Sequence, residues 1–126
     1  MQPTKNGLYK RIKSFGYAFK GMFELIKSEP NARIHLVATI GVVGAGLFFR
    51  ISGTEWCLVM LSIALVWAAE GFNTVVEKIV NHLFPEYNET ARIVKDISAG
   101  AVLFCAIAAF GCGLIIFLPK IFPYLF

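Results

Sequence analysis

Three apolar runs divide the chain. The first is "IHLVATIGVVGAGLFF", Ile34 to Phe49; the second runs from about Trp56 to Val80; the third runs from about Ile97 to Leu118 and meets Pro119. At about 1.5 Å of rise per residue, each run crosses a bilayer once its helix is extended by a turn. Helices satisfy their own backbone groups in hydrocarbon, whereas open strands do not. The predicted transmembrane helices are 31–50, 54–83 and 89–118. The link "RISGTE" reads as a tight turn carrying Gly53, with Thr54 as the N-cap of the helix that follows. The link "NHLFPEYNETARIVKD" is longer and polar. Pro85 breaks the helix there, and Asn88 or Thr90 is positioned to cap the next one.

The first thirty residues follow a different pattern. Leu8, Ile12, Phe15, Phe19, Met22, Phe23 and Ile26 recur mostly every three or four residues, and Lys10, Lys13, Lys20 and Lys27 fall largely off that stripe. This predicts an amphipathic helix over 1–30, suited to the headgroup layer and ended by Glu29-Pro30. The fold class is therefore an all-α membrane protein, a single membrane-embedded domain over 1–126. A surface helix precedes three transmembrane helices.

Composition agrees. The chain is 57% hydrophobic and 16% charged, with mean hydropathy +0.67; soluble domains lie nearer 45–50% and about 25%. The net charge is +4, and residues 1–33 hold seven basic side chains against two acidic ones. Beside membrane spans, such a basic segment points to anionic lipid and not to nucleic acid. Lysines and arginines also set orientation. Lys78, Arg92 and Lys95 lie around the second link, while the opposite side has Arg50 and Lys120. The N-terminus and the second link are expected in the cytoplasm. No hydrophobic leader segment precedes the spans. Cys57, Cys105 and Cys112 are expected to be unpaired. Gly41, Gly44, Ala45 and Gly46, and the small residues between Ala99 and Gly111, supply faces for close helix approach. Trp56 and Trp67 suit an interfacial aromatic belt, as do Tyr9 and Tyr17, and His35 and His82 read as isolated interfacial side chains.

The candidate chemistry lies in "EGFNTVVE". Glu70, Asn73 and Glu77 fall within about 60° of one another around a helix and span about 10 Å. A charge at the bilayer centre costs at least ~2.5–3.5 kcal/mol, so this stripe faces protein, water or ligand. It could glue helices together, relay protons in a small proton-coupled transporter or channel, or meet the cation of a partner subunit. Glu29, Lys95 and Asp96 sit on the same cytoplasmic side and favour a reaction site. Carboxylates with phosphate oxygens suit Mg²⁺, a lysine offsets phosphate charge, and a deeper carboxylate accepts a hydroxyl proton. There is no Walker sequence or GxGxxG.

The segments "EGFNTVVEKIVN", "PEY" and "KDISAGAV", with "GYAFKG" and "SEPNARIH", resemble the prokaryotic diacylglycerol kinase family. "SEPNARIH", "TEW" and "GLIIFLPK" are similar to its undecaprenol kinase branch. The resemblance implies a homotrimer in the bacterial inner membrane that transfers the γ-phosphoryl of MgATP to a lipid primary alcohol, diacylglycerol or undecaprenol. By position it implies Glu70 as general base and Glu29 and Glu77 as metal carboxylates. Lys10, Tyr17, Asn73, Glu86, Tyr87, Asn88, Lys95 and Asp96 would join them around the nucleotide. The lipid alcohol would enter between the surface helix and the second transmembrane helix, against Ser14, Phe15, Ala18, Phe19 and Glu70. Gly71-Phe72, Asn81 and Asn88 depart from the usual family residues.

Overall fold

The computed structural model describes residues 3–125; residues 1, 2 and 126 of the single expected domain lie outside it. Four helices follow one another: α1 (Pro3–Ser28), α2 (Pro30–Phe49), α3 (Gly53–Leu83) and α4 (Glu89–Leu125). Helices α2, α3 and α4 are long and apolar enough to cross a membrane. The three cysteines are unpaired.

The α1–α2 corner is built by local chemistry. Glu29 adopts an extended conformation (φ −112°, ψ 117°), the region forced on a residue that precedes proline. Pro30 opens α2, where its missing N–H costs nothing. The Arg33 guanidinium reaches back across the corner. Its Nε donates to the Ile26 carbonyl at 3.3 Å and its Nη2 to the Lys27 carbonyl at 2.5 Å. Those carbonyls belong to the last turn of α1 and have no partner further along the helix. Ala32 is fully buried beneath the corner.

The α2–α3 turn differs from the sequence expectation in two details. Arg50, not Gly53, takes the left-handed conformation (φ 51°, ψ 54°) and closes α2, while the Ile51 amide donates to the Gly46 carbonyl at 3.2 Å. Gly53 is the first residue of α3 and has ordinary dihedrals. The N-cap is Ser52, one turn ahead of Glu55. The Ser52 hydroxyl accepts from the Glu55 amide at 3.2 Å, and the Glu55 carboxylate accepts from the Ser52 amide at 2.9 Å. This reciprocal pair satisfies two orphan donors at once, which a cap at Thr54 would not do.

Helix α4 runs through Pro119 and Pro123 instead of stopping at the first. Each proline leaves one carbonyl of the preceding turn without its backbone donor, a loss that transmembrane helices tolerate when side chains supply replacements. Lys120 lies at this turn, donating its Nζ to Glu55 Oε2 at 2.8 Å and standing 3.4 Å from the Ile116 carbonyl. At the other end Asn88 caps α4, its Oδ1 accepting from the Ala91 amide at 2.9 Å.

Packing holds α2, α3 and α4 as an antiparallel hairpin pair. Gly46 meets Trp56; a Cβ at Gly46 would stand 2.7 Å from the indole. Further along, Trp67 Nε1 donates to Thr39 Oγ1 at 3.0 Å. Glu55–Lys120 and Asn81–Lys95 fix α3 against α4 at opposite ends. The core sits near the α2–α3 turn, where Ile51, Val59, Ile116 and Phe117 are buried with Phe49, Trp56 and Ile63 around them. Little else is enclosed. Large apolar side chains such as Phe72, Phe104 and Ile115 are more than 70% exposed, and Gly41, Gly44, Gly100 and Gly111 have open space beside them. Of the expected small-residue contacts, Gly46 alone of these glycines works within the chain; the other four face outward.

Candidate active site

The polar stripe of α3 turns inward. Glu70 is 2% exposed and Asn73 9%, and Thr74 is buried beside them with its hydroxyl donating to the Glu70 carbonyl at 3.0 Å. Glu77, one turn from Asn73, is half-buried. Glu70 is not alone. His35 Nε2 on α2 stands 3.4 Å from Glu70 Oε2. His35 is half-buried and is not isolated, since the fold gives it a partner that its sequence position does not show. Its ring meets the Trp67 indole edge-on, with centroids 6.4 Å apart. Trp67 therefore turns its indole toward α2.

These contacts define a register. Gly46 faces Trp56, Thr39 faces Trp67 and His35 faces Glu70. Beyond this pair the ladder runs toward the α1–α2 corner, where Glu29 stands as the N-cap of α2, while Glu77 follows Glu70 by two turns along α3. Both carboxylates are half-buried, and neither takes a hydrogen bond or ion pair from the described residues. Asn73 Oδ1 is buried without a donor. Buried polar atoms are rarely left so. An unpartnered carboxylate one turn from an orphaned amide oxygen supplies donors of the kind a small oxygen-seeking cation takes, and Glu29 offers a second free carboxylate. Among the described residues no three of His, Cys, Asp and Glu cluster as a preformed metal cage. A cation held here would complete its shell with phosphate oxygens and water.

Close beyond Glu77, a polar cavity of about 380 Å³ opens where α3, the link and α4 meet. It gathers Glu86, Tyr87, Asn88, Lys95 and Asp96. Lys95 donates to Asn81 Oδ1 at 2.9 Å, and Asp96 accepts from Arg92 Nη1 at 2.8 Å. Arg92 also bonds Glu89, which Tyr87 approaches through its hydroxyl. Sequence reasoning used Arg92 only for orientation; in the structure it lines the cavity and holds Asp96 by a charge-assisted bond. Asn88 reaches the cavity while its Oδ1 serves the helix cap.

The α1 positions are not gathered with the rest. Lys10, Ser14, Phe15, Tyr17, Ala18 and Phe19 all stand exposed. Ser14 donates back to the Lys10 carbonyl at 2.9 Å. Tyr17 lies between the ammonium groups of Lys13 and Lys20, 5.9 and 5.7 Å from its ring centre. Helix α1 approaches α3 at its C-terminal end, where the Leu25 side chain lies in van der Waals reach of a Cβ built at Gly71. An alanine methyl would make an ordinary contact there, so nothing within the chain explains a glycine in mid-helix, which costs about 1 kcal/mol relative to alanine.

Comparison with known proteins gives these residues a context. The profile of the family described as prokaryotic diacylglycerol kinase matches residues 16–117. An undecaprenol kinase of Bacillus subtilis (strain 168) is 34% identical over 119 residues, covering 93% of this chain and 95% of the relative. A diacylglycerol kinase of Synechocystis sp. is 34% identical over 109 residues, 86% of this chain and 62% of the relative. A diacylglycerol kinase of Escherichia coli (strain K12) is 28% identical over 109 residues, 86% of this chain and 89% of the relative. The proton-transporter alternative falls away with this match. A buried carboxylate, two unpartnered carboxylates and a lysine-lined polar cavity at one end of three membrane-length helices thus belong to a chain of the prokaryotic diacylglycerol kinase family, a lipid kinase.

Proposed function

We propose that the protein transfers the γ-phosphoryl group of ATP, with Mg²⁺, to the primary alcohol of a membrane lipid at the cytoplasmic face of the bacterial inner membrane. The observation that carries this reading is the run of unmet oxygens along one face of α3, from buried Glu70 through Asn73 Oδ1 to the unpartnered Glu77, with the polar cavity just beyond. Glu70 lies deepest and accepts the hydroxyl proton of an acceptor whose hydrocarbon stays in the bilayer. Glu29 and Glu77 would hold Mg²⁺, which neutralises charge on the transferring phosphates and aligns them. Asn73, whose buried Oδ1 lacks a donor, would support the same cluster. Lys95 faces the phosphates from the cavity, and Asp96, Glu86, Tyr87 and Asn88 surround the nucleotide. Catalysis then rests on position and electrostatics.

Lys10, Tyr17, Ser14, Phe15, Ala18 and Phe19 act from the surface helix. Their exposure in a single chain suits an α1 that lies on the membrane and covers the site of a neighbouring copy. The outward small residues of α2 and α4 suit the same homotrimer, because close helix approach needs them. The basic N-terminal segment and the Lys78–Arg92–Lys95 group argue for a cytoplasmic N-terminus. Undecaprenol is the first acceptor to test, since the relative named for it matches along 95% of its length; diacylglycerol is the second.

Membranes containing the protein are incubated with γ-labelled ATP and either undecaprenol or diacylglycerol. Label entering the lipid phase with one acceptor, and lost on chelation of Mg²⁺, is the expected result. No transfer to either alcohol overturns the acceptor class. Transfer unaffected by chelation removes the metal from the reading.

A further inference from the structure

We infer that His35 is a positioning residue for the phosphoryl transfer: it holds one oxygen of Glu70 so that the other meets the acceptor hydroxyl. The inference rests on the base role of Glu70 proposed above. Glu70 is 2% exposed, and its Oε2 lies 3.4 Å from His35 Nε2. Apart from this imidazole, the described residues give its carboxylate no hydrogen-bond or ion-pair partner. A buried carboxylate without such a partner would rotate between orientations and carry the whole cost of its desolvation.

The imidazole is itself held. The Trp67 indole abuts it edge-on, and that indole is tied through Nε1 to Thr39 Oγ1 at 3.0 Å. Thr39 in turn donates to the His35 carbonyl at 2.7 Å. Two side chains thus support His35, Trp67 of α3 against its ring and Thr39 of α2 against its backbone, the kind of support that a precisely aimed reacting group requires. The same ring borders an apolar cavity of about 370 Å³ between α2, α3 and α4, whose polar lining is confined to His35, Thr39, Ser62 and Trp67. His35 therefore separates the carboxylate from hydrocarbon on that side. Glu70 Oε1 is left for the substrate. In the transfer the acceptor O–H bond breaks and its proton passes to Oε1. The acceptor oxygen bonds the γ-phosphorus as the bond from that phosphorus to the bridging oxygen breaks, and the electron pair leaves with ADP. Glu70 ends protonated, and the proton passes to water when the product departs.

The test uses the full-length protein and the acceptor that takes label in the membrane assay, measuring kcat and both KM values for His35→Ala, His35→Asn, His35→Gln and Glu70→Gln. Catalytic contacts of this length tighten to hydrogen bonds in the reacting complex, and a hydrogen bond to a charged group is worth about 10–100-fold, so His35→Ala should lower kcat by that factor with the KM for ATP unchanged. His35→Gln places an amide N–H near the position of Nε2 and should recover most of the loss. His35→Asn is too short to reach and should behave like alanine. If alanine fails to fold, the asparagine–glutamine contrast decides alone. Equal kcat for asparagine and glutamine, or wild-type kcat for alanine beside an inactive Glu70→Gln, overturns the inference and leaves the base role standing. Full turnover by Glu70→Gln overturns the base role and this inference with it.

Discussion

The two ends of the α2–α3 hairpin are built on opposite principles. At the turn end nearly everything is satisfied. Gly46 lets Trp56 close on the backbone, Ile51 and Val59 are buried with Ile116 and Phe117, Ser52 and Glu55 cap α3 reciprocally, and Lys120 donates to Glu55 across the α3–α4 seam. At the far end polar groups are enclosed and left wanting. Among the described residues Asn73 Oδ1 has no donor, the Glu29 and Glu77 carboxylates take no hydrogen bond or ion pair, and Glu70 has a single long contact to His35. Unmet polar groups cost stability, so one end supplies the rigidity that the other spends on ligand binding.

Substitutions at the two ends should therefore separate activity from stability. The largest effect is expected from Glu70→Gln. Nucleotide binding should persist while lipid phosphorylation falls about 10²–10⁴-fold, the usual share of a general base. Next comes Glu77→Gln, read as the Mg²⁺ concentration for half-maximal rate. Losing even a supporting partner of a metal costs about 10–100-fold in affinity, so the titration should move by at least that order; an unmoved curve detaches Glu77 from the metal.

At the turn end the readout changes. Gly46→Ala drives a methyl against the Trp56 ring and should destabilise by about 1–3 kcal/mol, seen as a lower thermal midpoint in detergent. The turnover of the folded fraction should be preserved. Wild-type stability there would mean that the indole shifts freely. Glu55→Gln weakens the tie to Lys120 and the capping box together and should lower the midpoint by less than Gly46→Ala, with kcat unchanged. A fall in kcat from either variant would collapse the distinction between the two ends.

Much of the far end was legible before any coordinates. The spacing of Glu70, Asn73 and Glu77 gave a common face, and its burial follows from the cost of charge in hydrocarbon. Glu86 through Asn88 and the Lys95–Asp96 pair proved to share one cavity because a short link folds α4 back on α3. His35 was missed because its partner is 35 residues away. The signal lay in the turn: His35 and Glu70 are nearly equidistant from Ser52, so an antiparallel hairpin brings them together. Arg92 reads in the sequence as a topogenic charge; its tie to Asp96 four residues on is a spacing that any helix brings together, and only its place on the cavity wall depends on the fold. The helix bounds shifted for local reasons, with Ser52 outcompeting Thr54 as the cap and α4 continuing through Pro119.

The sequence by itself determined what periodicity and transfer free energy can fix: an all-helical chain, three helices of membrane length, and an acidic face that had to be sheltered. The tertiary structure alone decided which side chains shelter it. Pairing His35 with Glu70, tying Trp67 to Thr39 and closing Trp56 on Gly46 depend on how two helices rotate and slide against each other. That register is set by packing at the turn, by groups distant in the chain, and no local pattern of residues encodes it.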